Sequence, residues 1–224
     1  PTKTLTRNYD PASYRMRTFL DVRDSFLEGS DSPRDYLERC LECIDSRESQ
    51  VKAWVVLNSE NARQAADESG KRYRQGKTLS VIDGMPLGIK DVLQTRDMPT
   101  ELGSLIFKGH ETNLDTASVN ALRLAGGVIL GKTVTTEFAF VKPGPTTNPF
   151  DPQATPGGSS SGTSAAVGAG MIPAGLGNKV VGSVIRPASY CGNFAIKPTI
   201  GALHNGEGLS LSQLHLGVHA ASLP

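Results

Sequence analysis

Between Trp54 and Leu130, short apolar runs take turns with segments of helical period, and that alternation narrows the available folds more than any other feature of the chain. WVVL (Trp54–Leu57) reads as a short buried strand. NSENARQAADESGKRYRQ then reads as a polar, exposed helix ending near Gly76. Residues 86–92 form a strand candidate and 127–130 a buried one. The helix predicted between them, 116–125, has Val119, Leu122 and Leu124 among its apolar positions. Strands joined through helices imply an α/β sheet with helices on both faces. Ahead of this region, Met16, Phe19, Leu20, Arg23, Phe26 and Leu27 recur at helical spacing. DSPRDYLERCLECI follows with Ser32 as N-cap and Pro33 in the first helical position, so residues 1–79 are expected to be mainly helical.

Composition excludes several classes. The 224 residues are 38% hydrophobic and 20% charged with a net charge of +1, which gives no case for a nucleic-acid or membrane-surface partner. The start, PTKTLTRNYD, lacks the apolar core of a signal peptide, and no eighteen apolar residues run together. A cytoplasmic location is therefore the default expectation. Cys40, Cys43 and Cys191 make no disulfide framework. Cys40 and Cys43 are expected as two half-buried thiols on one helix face rather than as metal ligands.

Three motifs invite a functional reading. Gly126 to Thr133 spells G-x4-G-K-[ST], but a phosphate loop needs a strand before it and a helix after it, whereas Val128-Ile129-Leu130 is itself the strand candidate. Gly158-Ser159-Ser160-Ser161-Gly162 satisfies G-x-S-x-G. The upstream DPQATPGG is a turn-rich loop rather than an apolar strand, and the only later acid is Glu207, so a nucleophile elbow at Ser160 lacks its context. The wider stretch TPGGSSSGTSAAVGAG has the composition of a flexible linker, yet TSAAV (163–167) is helix-compatible. Its glycines then sit at a helix start, where backbone N–H groups favour developing negative charge.

Taken together, GMPLGIKDVLQT (84–95), TPGGSSSGTSAAVGAGMIPAGLG (155–177) and GSVIRPASYCGNFAIKPTIG (182–201) resemble the successive hallmarks of the amidase signature family. The resemblance runs from about residue 80 to 201. It implies a mixed central β-sheet covered by helices on both faces, hydrolysis of carboxylic amides and a Ser-Ser-Lys triad in which one serine precedes a cis peptide bond. Carried over by position, Lys90 is the base, Ser159 the bridging serine of the cis bond and Ser183 the nucleophile. The backbone N–H groups of Val180, Val181, Gly182 and Ser183 form the oxyanion hole, and Gly158, Ser160 and Arg186 contact substrate. The resemblance also implies one domain over 1–224 that holds only the N-terminal portion of the fold, cut on its C-terminal side, with 80–224 as catalytic core segment.

The chemistry suits these residue types. A serine hydroxyl is a weak nucleophile until a base takes its proton, and a lysine delivered from the buried end of PLGI could be held neutral by desolvation. A second hydroxyl both accepts and donates, so Ser159 could pass the proton from Ser183 to Lys90. An ordinary strand-end lysine paired with Asp91 is the competing reading of Lys90. No metal or organic cofactor is called for; the expected partner is a small-molecule amide, with a homodimer left open. Two departures from the family pattern stand out. Asn178-Lys179-Val180-Val181 puts a β-branched residue and a cation where small residues and an acid or amide are usual. The spelling Ser-Val-Ile-Arg-Pro is similar to malonamidase-type enzymes, where Arg186 would hold a substrate carboxylate; the competing reading is an arginine tied to loop carbonyls. That spelling counts against a third reading, the amidase component of a tRNA-dependent amidotransferase. Val181, Lys179 and the early stop favour a second one, an impaired or inactive amidase-like chain.

Overall fold

The computed structural model describes residues 15–203 and 215–223. Glu207 and the rest of 204–214 lie outside the described residues, as do 1–14. Helices α1 (Leu20–Glu28) and α2 (Pro33–Val51) are the first elements among the described residues. α2 begins as its sequence predicts: Pro33 occupies the first turn and the Ser32 side chain accepts from the Asp35 N–H, satisfying one of the helix's orphan donors. Strand β1 (Trp54–Leu57), helix α3 (Ser59–Arg74), strand β2 (Pro86–Lys90), helix α4 (Ala117–Leu124) and strand β3 (Val128–Thr133) follow. Next come α5 (Ser161–Gly168), β4 (Ala174–Lys179), α6 (Ile185–Tyr190), β5 (Phe194–Ile196) and β6 (His215–Ala220).

The six strands form one sheet in the order β1-β3-β2-β4-β6-β5. β2 runs parallel to β3 and β4, while β1 is antiparallel to β3 and β6 is antiparallel to β4 and β5. Strand alternation sorts the core. Val128 and Leu130 join Leu37, Ile44, Ala62, Ala66 and Ala165 under α2, α3 and α5, whereas Ile129 joins Leu87, Ile89, Leu176 and Val119 of α4 on the other face. Helices therefore cover both faces of a mixed sheet. Among the described residues no helix is long and apolar enough to cross a membrane.

Several local expectations are corrected. β1 is an edge strand and only half-buried, with Val55 37% exposed, because a neighbour covers it on one side alone. α3 buries Ala62, Ala66, Ser69, Gly70 and Tyr73; small residues make its inner face, so its polar composition hid a packed side. Leu124 is exposed at the end of α4, whereas Val119 is fully buried and Leu122 packs half-buried against the same core. Cys40 is fully buried, while Cys43 is half-buried. One expectation is met: Val128-Ile129-Leu130 of the phosphate-loop spelling lies in buried β3, which runs on to Thr133.

Candidate active site

The central strands β2 and β4 and the start of α5 converge on one point. Lys90, the last residue of β2, is fully buried, and its Nζ lies 2.7 Å from Ser159 Oγ. Lys90 also donates to the backbone oxygen of Asn178 at 3.2 Å and to Asn178 Oδ1 at 2.7 Å. Burial alone pushes the Lys90 amine well below its ordinary value. Asp91 is not its partner. That carboxylate pairs with Lys132 Nζ at 2.9 Å, both groups fully buried, and Lys132 also donates to Thr100 Oγ1. The lysine of the rejected phosphate loop thus takes the role that the competing reading gave to Lys90, and leaves Lys90 to the two oxygens of Asn178 and to Ser159.

The glycine-rich stretch is a packed wall. α5 begins at Ser161 and every residue in it is buried. Gly162 has no room for a side chain: a Cβ there would collide with Ala53 O and Val134 N. The peptide between Gly158 and Ser159 is cis, so this bond precedes Ser159 instead of following it.

A cavity of about 410 Å³ opens above this point, a size suited to a small ligand. Ser159, Ser183, Arg186 and the loop Val180–Gly182 line it. Ser183 sits in the turn before α6, and its carbonyl accepts from Ser160 N at 3.2 Å. No hydrogen bond joins the hydroxyls of Ser183 and Ser159 among the described residues; the two share the cavity wall. Val181, Gly182 and Ser183 have no protein acceptor for their backbone N–H groups among the described residues. Neither Val181 nor Gly182 adopts positive φ, and the Val181 side chain is 84% exposed.

Three other expected substrate contacts fall differently. Ser160 is fully buried with its hydroxyl donated to Asn178 O at 3.3 Å, and neither it nor Gly158 lines the cavity. Arg186 does line it, but its Nε and Nη2 both donate to Gly158 O, at 3.0 and 2.7 Å. This is the loop-carbonyl arrangement of the competing reading.

Two parts of the site are not apparent from the sequence motifs. Asn178 stands in the sequence only as a departure from a motif; its signal is a polar residue next to the end of the AGLGNK strand, after the small, apolar AGLG. The opposite wall is Phe138, Phe140 and Val141, in a loop where Phe138 and Ala139 have φ of 51° and 59°. That loop is held by Thr136 Oγ1 donating to Phe140 O, Phe138 N donating to Leu102 O and a Lys142–Glu137 ion pair at 3.1 Å. Its signal is an apolar run, FAFV, outside any periodic element.

Known proteins resemble the chain in both sequence and fold. It is 40% identical over 187 residues to the glutamyl-tRNA(Gln) amidotransferase A subunit of Chloroflexus aggregans, covering 79% of this chain and 38% of that protein. The corresponding protein of Leptospira interrogans is 36% identical over 193 residues, 84% of this chain and 40% of the relative. Among solved structures, the peptide amidase of Stenotrophomonas maltophilia superposes with a TM-score of 0.82 at 30% identity, over 91% of this chain and 45% of that one. A 6-aminohexanoate cyclic dimer hydrolase superposes at 0.83 and 28%, over 92% and 44%. The chain thus spans less than half the length of these relatives. The sequence profile of the amidase family matches residues 35–222, and with the mixed sheet, both helical layers and these neighbours it establishes that the chain belongs to the amidase signature family.

Proposed function

We propose that this chain hydrolyses a small carboxylic amide through Ser183, Ser159 and Lys90. One observation carries the reading: a fully buried lysine whose nearest partners are two Asn178 oxygens and one serine hydroxyl. A neutral amine has two N–H donors and one lone pair. The Asn178 oxygens can only accept, so they take both donors, and the lone pair is left for the Ser159 hydroxyl proton. That is the polarity a relay needs.

In the proposed reaction Ser183 Oγ attacks the amide carbon while its proton passes to Ser159 and the Ser159 proton passes to Lys90. The carbonyl oxygen becomes an oxyanion facing the N–H groups of Val181, Gly182 and Ser183. Lys90 returns the proton through Ser159 to the leaving nitrogen, the C–N bond breaks, and ammonia or an amine departs. Water attacks the resulting ester in the same way, freeing the carboxylic acid and restoring Ser183. Burial that keeps Lys90 neutral makes the base available well below the ordinary lysine range.

Ammonia release from a panel of small amides, measured beside Ser183→Ala, tests this reading. Wild-type release should exceed the Ser183→Ala background; equal release by both proteins refutes this reading. If the wild-type chain is inactive and Val181→Gly restores turnover, the reading of an impaired oxyanion hole is supported, since one such donor is worth on the order of 10²–10³ in rate. The similarity to amidotransferase proteins supports a second reading, in which this chemistry serves a multi-component amidotransferase. It predicts co-purification with partner proteins from the native host, and a chain isolated alone opposes it.

A further inference from the structure

The Asn178 side chain meets Lys90 with one end of its amide and the cavity with the other. Oδ1 and the backbone oxygen of Asn178 both accept from Lys90, and the backbone oxygen also accepts from Ser160 Oγ. The chemistry of Lys90 fixes which way the amide faces. Once Lys90 has taken a proton it is an ammonium, with donors only, and Nδ2 turned towards it would set donor against donor. Oδ1 therefore faces Lys90 and Nδ2 points away. Asn178 is only 2% exposed, yet it lines the cavity together with Ser159 and Ser183. Nδ2 is not one of the sealed side-chain atoms, so the cavity is where its N–H groups point. Residues 178–183 line that cavity without a break, with the amide and the base at one end of the stretch and Ser183 at the other. An amide at position 178 is no part of the family pattern, and neither is the branched Val181 three residues on.

We propose that Asn178 Nδ2 donates to the substrate carbonyl oxygen as it becomes an oxyanion, a side-chain donor added to the N–H groups of Val181, Gly182 and Ser183. This rests on the amide-hydrolase reading. Base and donor are then coupled through one side chain. When Lys90 takes the proton, its ammonium draws electron density from Oδ1 and makes Nδ2 a stronger donor while the oxyanion forms. A contact that strengthens only as charge develops lowers the barrier without tightening the ground state. Its loss is therefore read in kcat rather than in KM.

Two measurements on the whole chain test this, each with Asn178→Thr and Asn178→Ser, whose hydroxyl oxygens can accept from Lys90 while the amide N–H donors are lost. The first follows kcat and KM for butyramide against pH. Both variants should lose about 100-fold in kcat with KM unchanged and the acid limb of the profile in place; a residue that only held Lys90 would move that limb instead. The second is calorimetric titration with propylboronic acid, which needs no turnover. Ser183 Oγ adds to boron, its proton passes through Ser159 to Lys90, and the tetrahedral adduct carries negative charge where the oxyanion stands. The wild type should bind it, Ser183→Ala should not, and both Asn178 variants should bind at least about 10-fold more weakly. Wild-type hydrolysis with kcat and boronate affinity unchanged in both variants overturns the inference and leaves the hydrolase reading standing. A loss of kcat with a displaced acid limb and unchanged boronate affinity overturns it as well. Ser183-dependent boronate binding that weakens in both variants, with no hydrolysis of any amide, supports the donor and counts against the hydrolase reading. A wild type that neither hydrolyses an amide nor binds the boronate through Ser183 overturns both.

Discussion

Lowering the pH should cost this protein stability through one side chain, His219. The residue is fully buried on β6, with Nδ1 3.2 Å from Asn193 Oδ1. Asn193 Nδ2 already donates to Ser164 O and Ser164 Oγ, so Oδ1 is the acceptor of that amide and His219 Nδ1 carries the proton. Nε2 is then a lone pair with no hydrogen-bond partner. A proton there would create a buried cation with nothing to receive it. Burial, the largest cause, pushes the imidazole down to about 3. Above the unfolded value of about 6.5 the ring is neutral in both states and contributes nothing. Below it the unfolded chain binds a proton that the folded chain refuses, so stability falls by about 1.4 kcal/mol per pH unit until the folded value is reached. Between pH 7.5 and 4.5 this amounts to about 2.6 kcal/mol. Urea unfolding followed by circular dichroism at both pH values, for the wild type and His219→Leu, isolates the contribution of this ring. Carboxylates and other groups common to both proteins cancel in the double difference. The variant should lose about 2.6 kcal/mol less than the wild type on acidification. A double difference below about 0.5 kcal/mol would refute the reasoning, because the buried ring would then be charging freely in the folded state.

Two further outcomes follow from the packing around the site. Lys132→Met leaves the Asp91 carboxylate buried without its cation and should destabilise by about 3–5 kcal/mol in the same urea assay, whereas adding Asp91→Leu should recover most of that loss, since neither charge is then stranded. Gly162→Ala forces a methyl group into the Ala53 carbonyl and the Val134 N–H, so its thermal midpoint should drop by an amount equivalent to about 1–3 kcal/mol or more; an unchanged midpoint would mean that α5 can shift away from β3.

The alternation of apolar and helical segments makes the sheet and both helical layers legible, and local rules suffice wherever neighbours in sequence settle the matter. Ser32 and Pro33 start α2 because a side-chain acceptor and a preset φ act within one turn. Burial is less legible. The inner face of α3 is built largely from Ala, Ser and Gly, which carry little apolar signal, with Tyr73 its one large buried side chain, and the exposure of β1 depends on its place at the edge, which its own four residues do not encode. At the site, the motifs point to Lys90, Ser159 and Ser183 through resemblance, and desolvation of Lys90 can be anticipated from the apolar run before it.

What the sequence determined by itself is the family, the order of the elements and the residue types available for the chemistry. These depend on short-range patterns: hydrophobic period, capping and three ordered motifs. Only the tertiary structure decided the pairings. Lys90 and Asn178 are eighty-eight positions apart and meet because β2 and β4 are parallel neighbours whose register, Ile89 opposite Leu176, brings the end of β2 beside Asn178. Lys132 takes Asp91 because β3 lies on the other side of β2, and Arg186 reaches Gly158 because α6 packs beside the loop into α5. Charges select partners by distance in space, and the sheet order that sets those distances is a property of the whole chain.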